Sequence, residues 1–185
     1  MITIGVIGKN EQHEKDVVSG DAMQVAFEVG KAVAELGGVV VTGGRRGVME
    51  ASSKGAKEAG GLTIAFLPSL DRRDANPYVD IVFPTGLGRA RNLLTARSCH
   101  ALIMIGGSCG TLNELTIAYA EARPVVVMEG TGGWADKIRP VLHKGRYIDE
   151  RENIEVHFET DPRLAVEKAF ALAREFENVE TNDTP

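Results

Sequence analysis

Two glycine-rich turns carry residue types that suit an anionic ligand. Each turn follows an apolar run and precedes a helical pattern; the first is Thr42–Gly47 and the second is Gly106–Gly110. Backbone amides at a helix start attract anions, the helix dipole adds to that attraction, and glycine lets a phosphate approach the backbone. The candidate ligand-binding residues are Gly8, Gly43, Gly44, Arg45, Arg46, Gly47, Arg89, Gly107, Ser108, Cys109, Gly110 and Thr111.

The spacing within these turns excludes two common phosphate-binding loops. Neither turn has the Gly-Lys-Ser/Thr ending of a Walker loop or the G-x-G-x-x-G spacing of a dinucleotide fingerprint. Other interpretations stay open for both segments. Thr111 and Glu114 have the spacing of a capping box, which would only close a helix. Arg45 and Arg46 suit a phosphate-binding role or a simple position in solvent.

A third segment, Thr85–Asn92, places Arg89 and Arg91 near a predicted helix start. Cations there oppose the helix dipole, so stability alone would not favour them. A ligand anion would resolve the conflict. The alternatives are arginines that face solvent or that bind a neighbouring subunit.

The charge distribution favours a small anionic ligand over a polymer. The chain has 185 residues and a formal net charge of −5, yet residues 45–97 hold nine basic and five acidic side chains. An acidic chain with one basic region suits a phosphorylated small molecule better than nucleic acid or a membrane surface. Two cysteines and four scattered histidines predict neither a metal site nor a disulfide framework. With no signal peptide or membrane-spanning segment recognised, we expect a cytoplasmic protein.

Apolar runs alternate with helical patterns along the chain. Runs without polar alternation indicate strands buried on both faces, so we predict an α/β fold: a Rossmann-like, doubly wound, mostly parallel sheet with helices on both faces. The predicted strands are 2–8, 38–42, 62–67, 80–83, 101–105, 124–128 and 154–158. The predicted helices are 48–59, 88–99, 111–122, 134–144 and 161–177, after a first helix that Asp21 caps and Gly37 ends.

These elements form one predicted domain over residues 1–177, followed by a flexible tail over 178–185. In open α/β sheets, ligands bind beyond the carboxyl ends of the strands. Both glycine-rich turns come directly after predicted strands. We therefore expect them to lie at the same edge of the sheet.

Over residues 1–130 the chain resembles the LOG (lonely guy) family of the SLOG superfamily, whose members are often mislabelled lysine decarboxylases. The family carries a P-G-G-x-G-T-x-x-E motif and an upstream arginine. This chain matches them with Gly107, Gly110, Thr111, Glu114 and Arg91. The resemblance implies that Arg91 and Glu114 are the catalytic pair of a nucleoside 5′-monophosphate phosphoribohydrolase. It also implies that hydrolysis requires no cofactor. It further implies a homodimer or homotetramer, in which residues across the subunit interface complete each active site.

The chain also departs from that pattern. Gly106 replaces the proline of the motif, Ser108 replaces its second glycine, and Asn92 stands where a lysine is usual. The segments T-G-G-R-x-G-V-M and T-G-L-G-x-A-R are similar to the molybdenum cofactor carrier proteins, a non-catalytic branch with the same fold. That resemblance implies molybdopterin as the ligand. A nucleotide sensor is a third alternative, although such sensors usually carry an effector domain.

Overall fold

One parallel sheet organises the chain. The computed structural model describes residues 1–11 and 17–182, with side chains up to Phe176. Seven parallel strands lie in the order β4-β3-β2-β1-β5-β6-β7. They are β1 (Thr3–Gly8), β2 (Val39–Thr42), β3 (Leu62–Leu67), β4 (Ile81–Pro84), β5 (Ala101–Ile105), β6 (Val125–Met128) and β7 (Val156–Glu159). The predicted α/β, Rossmann-like fold is confirmed.

In the part of the chain that the structure describes, six α-helices cover the two faces of the sheet. They are α1 (Gly20–Glu35), α2 (Val48–Glu58), α3 (Asn92–Arg97), α4 (Cys109–Ala120), α5 (Gly133–Lys137) and α6 (Pro162–Asn182). One buried cluster lies beneath α1, α2 and α6 and includes Val29, Ile103 and Phe170. The other lies beneath α3, α4 and α5 and includes Leu102 and Leu115. Because β5 contributes to both clusters, its continuous apolar run reflects burial on both faces.

The strand order creates a switch point between β1 and β5. From β1 the chain adds β2, β3 and β4 on one side, and from β5 it adds β6 and β7 on the other. In the register of this pair, Gly8 lies opposite Ile105. A crevice opens at such a point beyond the carboxyl ends of the strands. The turns after β1, β2 and β5 therefore meet at one edge.

Two predicted helices differ from the observed ones at their starts. Helix α1 begins at Gly20, and the side chain of Ser19, rather than Asp21, accepts a hydrogen bond from the amide of Ala22 at 3.2 Å. The predicted helix over 88–99 is divided, because a 3₁₀ turn (Gly88–Arg91) precedes α3. Gly88 has a φ of +55°, which an α-helix does not accommodate.

The C-terminal half shows two further differences. The predicted helix over 134–144 is shorter, because Pro140 has no amide to continue it and a 3₁₀ turn (Arg139–Val141) follows α5. Helix α6 begins at Pro162, where Asp161 caps it as predicted by accepting from the amide of Leu164 at 2.9 Å. It continues to Asn182, so the predicted tail over 178–185 is helical as far as the structure describes it; residues 183–185 lie outside the described chain.

Within the described chain, no helix is both long and apolar enough to cross a bilayer.

Helices α1 and α2 pack closely against each other on one face of the sheet. A Cβ placed on Gly30 would lie 1.9 Å from the carbonyl oxygen of Ser52, and one on Gly55 would lie 1.9 Å from that of Phe27. Glycine at both positions therefore lets the two backbones touch, and this contact sets where α2 and the turn before it lie.

We expect Gly30→Ala to lower the free energy of unfolding by about 1–3 kcal/mol, because the added methyl group must push α2 away from α1. Gly20→Ala is the matched control, since a Cβ at this first residue of α1 meets nothing within 4 Å. Its effect should stay within about 1 kcal/mol. Urea unfolding measures both values. Equal stability of the two variants would contradict the close packing described here.

Candidate functional site

A buried ion pair joins the 3₁₀ turn before α3 to α4, beside the carboxyl end of β2. Nη1 of Arg91 donates to Oε1 of Glu114 at 2.8 Å, and the two side chains are 12% and 7% exposed. The same Nη1 donates to Oγ1 of Thr95 at 3.2 Å. Arg91 ends the 3₁₀ turn before α3, and Glu114 lies in the second turn of α4. The structure therefore brings together the two residues that the resemblance assigned to catalysis.

Gly43 makes room for the arginine of this pair. A Cβ on Gly43, the residue after β2, would lie 2.4 Å from Nη2 and 2.6 Å from Cζ of Arg91. The guanidinium group therefore rests against the backbone of the turn after β2. Its Nε is buried, and among the described residues it has no hydrogen-bond partner. The predicted role of Gly43 was close approach to a ligand; in this structure the group that approaches it is Arg91.

Burial changes the protonation of the pair. It raises the pKa of Glu114 from 4.5 to about 7, and the neighbouring Arg91 guanidinium only partly offsets this rise. The Glu114 carboxyl group can therefore gain or lose a proton near neutral pH. A carboxyl group with such a pKa can serve as a proton donor or as a proton acceptor.

The start of α4 lies in the same region. Ser108 precedes the helix and forms a capping box with Thr111, whose Oγ1 accepts from the amide of Ser108 at 3.4 Å. The alternative capping box between Thr111 and Glu114 is therefore wrong. Ser108, Cys109 and Gly110 are exposed, whereas Thr111 is buried. The exposed helix start is the part of this turn that a phosphate could reach.

The turn after β6 holds the turn after β5 in place. The amide of Gly106 donates to Oγ1 of Thr131 at 2.7 Å, and the amide of Trp134 donates to the carbonyl oxygen of Gly107 at 3.1 Å. A Cβ on Gly133 would lie 2.3 Å from that same oxygen. The backbone before α4 is therefore rigid before any ligand binds.

A cleft of about 250 Å³ opens at the switch point, and we refer to it as the switch-point cleft. Lys9, Val48, Ser108 and Gly132 are among its lining residues. Gly8 lies beneath it, where a Cβ would lie 2.5 Å from Cγ1 of Val48. Lys9 and the turn after β6 were not among the predicted site residues. The sequence feature that could have identified them is their position directly after predicted strands.

Several backbone amides of the turn after β2 donate hydrogen bonds within the protein. The amide of Gly44 donates to Oγ1 of Thr42 at 3.0 Å, that of Arg46 to Oδ1 of Asn10 at 3.2 Å, and that of Val48 to the carbonyl oxygen of Lys9 at 3.2 Å. These three amides are therefore already engaged within the protein. The turn also presents the two guanidinium groups of Arg45 and Arg46, the charged groups predicted at this turn.

The arginines of the two basic segments differ in exposure. Arg45 is half-buried and Arg46 is exposed. Arg89 is exposed on the 3₁₀ turn before α3, and within the described chain it makes no ion pair. Gly44 and Gly47 have φ values of +73° and +67°, so these positions favour glycine for their backbone conformation.

Sequence comparison identifies the family. Residues 1–166 match the sequence profile of the SLOG cluster4 family. The chain belongs to this family. An uncharacterized protein of Archaeoglobus fulgidus is 42% identical over 137 residues, which cover 70% of this chain and 85% of that protein. A cytokinin riboside 5′-monophosphate phosphoribohydrolase of Mycobacterium tuberculosis is 28% identical over 121 residues, which cover 60% of this chain and 65% of that enzyme.

Two solved structures are similar over almost the whole chain. The molybdenum cofactor binding protein of Rippkaea orientalis is 32% identical with a TM-score of 0.78, covering 92% of this chain and 96% of that one. The molybdenum cofactor carrier protein of Chlamydomonas reinhardtii is 35% identical with a TM-score of 0.75, covering 94% of this chain and 98% of that one. The proteins similar to this chain thus include one phosphoribohydrolase and molybdenum cofactor proteins, the two kinds that the sequence resembles.

The raised pKa of Glu114 has a consequence for stability. Between pH 4.5 and about 7 the folded chain holds a proton that the unfolded chain has lost, so the free energy of unfolding falls as pH rises. We expect a fall on the order of 1–3 kcal/mol between pH 5 and 8 relative to Glu114→Gln, whose amide does not titrate. Urea unfolding across this range measures it. A wild-type chain that gains stability over the same range relative to the variant would contradict the direction of the shift.

Proposed function

We propose that the protein cleaves the N-glycosidic bond of a nucleoside 5′-monophosphate and releases the free base and ribose 5-phosphate. The observation that carries this proposal is the buried Arg91–Glu114 pair at the carboxyl edge of the sheet. A carboxyl group with a pKa near 7 suits a reaction that moves a proton and builds positive charge on a sugar.

The chemistry follows from these groups. The ligand phosphate binds at the exposed start of α4 and near the ammonium group of Lys9. As the C1′–N bond breaks, positive charge develops on the ribose, and the Glu114 carboxylate stabilises that charge or directs the attacking water. The electron pair of the broken C1′–N bond leaves with the base, which takes up one proton. Water forms the new C1′–O bond and loses one proton, so the two proton transfers balance. Arg91 orients the carboxylate. No step requires a metal or a redox cofactor.

A second candidate function is the binding and carriage of molybdenum cofactor. It is favoured by the similarity to the proteins from Rippkaea orientalis and Chlamydomonas reinhardtii, which extends over nearly the full length of each chain at 32% and 35% identity. Molybdopterin also carries a phosphate, so the switch-point cleft and the helix start would serve the same purpose. In that case the Arg91–Glu114 pair would hold α4 and the turn after β2 in place without performing chemistry.

We further propose a homodimer or homotetramer in the cytoplasm. Helix α4 is apolar on most sides, and Leu112 and Ile117 are only partly buried in the single chain. Leu93 on the neighbouring α3 is 42% exposed. Burial of these side chains against a second copy would remove apolar surface from water. The exposed free thiol of Cys109 fits a reducing compartment.

Incubation with AMP, GMP, CMP and UMP tests the hydrolase directly. We expect base and ribose 5-phosphate in equal amounts, and a loss of about 100-fold or more in kcat for Glu114→Gln and Arg91→Ala, because each removes one member of the pair. Arg97→Ala is the matched control. Arg97 lies at the end of α3 and, like Arg91, binds a glutamate, Glu121, at 3.2 Å, but its side chain is 58% exposed. Its activity should match that of the wild type.

The same assay separates the two candidate functions. If no nucleoside monophosphate is cleaved while molybdenum cofactor binds tightly, the hydrolase proposal is wrong and the carrier is correct. Cleavage that survives intact in Glu114→Gln would instead place the reaction outside the proposed pair.

A further inference from the structure

A second cleft of about 450 Å³ lies beside the switch-point cleft. We call it the arginine–glutamate cleft; its lining includes Arg45, Arg46, Glu50, Arg73 and Asn76. The two clefts share their flanking segments. Lys9 and Val48 line the switch-point cleft, while their near neighbours Asn10 and Glu50 line the second. A ligand with its phosphate in one cleft can therefore extend toward the other.

The charged groups of this cleft are available to a ligand. Arg45 and Glu50 are both half-buried, and within the described chain neither side chain makes a hydrogen bond or an ion pair, with each other or with another residue. Arg73 differs, because it binds Asp71 through two nitrogens. A half-buried cation and a half-buried carboxylate that do not pair with each other leave both partners open for a third group.

The backbone around these side chains is held in place before any ligand binds. Asn76 is only 7% exposed; its amide donates to the carbonyl oxygen of Gly44 at 2.8 Å, and its Nδ2 donates to that of Arg45 at 3.0 Å. Glu50 lies in the first turn of α2, which packs closely on α1. A site on such fixed elements presents its donors and acceptors in a constant arrangement.

We propose that this cleft binds the ring of the ligand whose phosphate lies at α4, and that Glu50 selects a 2-amino-4-oxopyrimidine ring, as found in guanine and in pterins. This proposal rests on the proposed phosphate site. Such a ring presents a ring N–H beside an exocyclic amino group, and a carboxylate accepts both bonds side by side. Its carbonyl oxygen accepts from the Arg45 or Arg46 guanidinium group.

Adenine does not match this arrangement. Its corresponding edge has an amino donor beside an unprotonated ring nitrogen, which is an acceptor and would face a carboxylate oxygen. Adenine therefore makes one hydrogen bond fewer to the Glu50 carboxylate, and a lone pair of its ring nitrogen faces a lone pair of a carboxylate oxygen. Arg45 and Arg46 find no carbonyl oxygen on adenine. Glu50 therefore acts as a specificity determinant for the ring and takes no part in bond cleavage.

Calorimetric titration tests the proposal, with Glu114→Gln in every protein so that no ligand is cleaved. The ligands are GMP, AMP, neopterin monophosphate and ribose 5-phosphate. With Glu50 intact, we expect GMP or neopterin monophosphate to bind at least about tenfold more tightly than AMP. Adding Glu50→Gln should reduce this preference to about twofold or less and leave ribose 5-phosphate binding unchanged. Glu58→Gln, on the exposed end of α2, is the matched control and should keep the full preference.

The ligands also distinguish the two sources of the ring. Tighter binding of GMP supports a nucleotide, and tighter binding of neopterin monophosphate supports a pterin; both support the role of Glu50. Equal binding of AMP and GMP without a pterin preference overturns it, as does a preference that survives Glu50→Gln. Absence of ribose 5-phosphate binding overturns the phosphate site separately. If none of the four ligands binds, both proposals fail.

Discussion

The candidate site depends on one buried ion pair. Removal of Arg91 would leave the Glu114 carboxyl group without its charged partner, and removal of Glu114 would leave a guanidinium group buried against Gly43. Breaking a buried pair is costly, at about 3–5 kcal/mol, yet an apolar pair of similar volume is often no less stable. Stability alone therefore does not explain why this pair lies here. A role toward a ligand accounts for its position at the edge where ligands bind.

The pair is positioned by the topology of the sheet. Gly43 follows β2, Arg91 precedes α3, and Glu114 lies on the helix that follows β5, so the site joins three segments that are distant in the chain. The switch between β1 and β5 opens the switch-point cleft at the same carboxyl edge of the sheet. Close contact of α1 with α2 through Gly30 and Gly55 fixes the elements on the far side of that cleft. Glycine residues thus allow both the close contact of α1 with α2 and the close approach of Arg91 to the turn after β2.

Much of the fold could be predicted from the sequence, because continuous apolar runs and glycine boundaries are local signals. The strand over 62–67 and the start of α2 at Val48 follow directly from them. The contacts of the site could not be predicted in this way. Two examples are the contact of Arg91 with Gly43 and the hydrogen bond from the amide of Val48 to the carbonyl oxygen of Lys9. Both join segments that are distant in the chain. The free charges of Glu50 and Arg45 become visible only once their neighbours are known.

The central claim is that Glu114 is a buried, proton-exchanging partner of Arg91 at the ligand site. Carbon-13 NMR titration of the glutamate carboxyl groups, with Glu114→Gln used for assignment, tests it most directly. The account requires a pKa of about 7 for Glu114 in the free protein and a change in that pKa when ribose 5-phosphate is added. A pKa near the ordinary 4.5 that ribose 5-phosphate leaves unchanged would contradict the account.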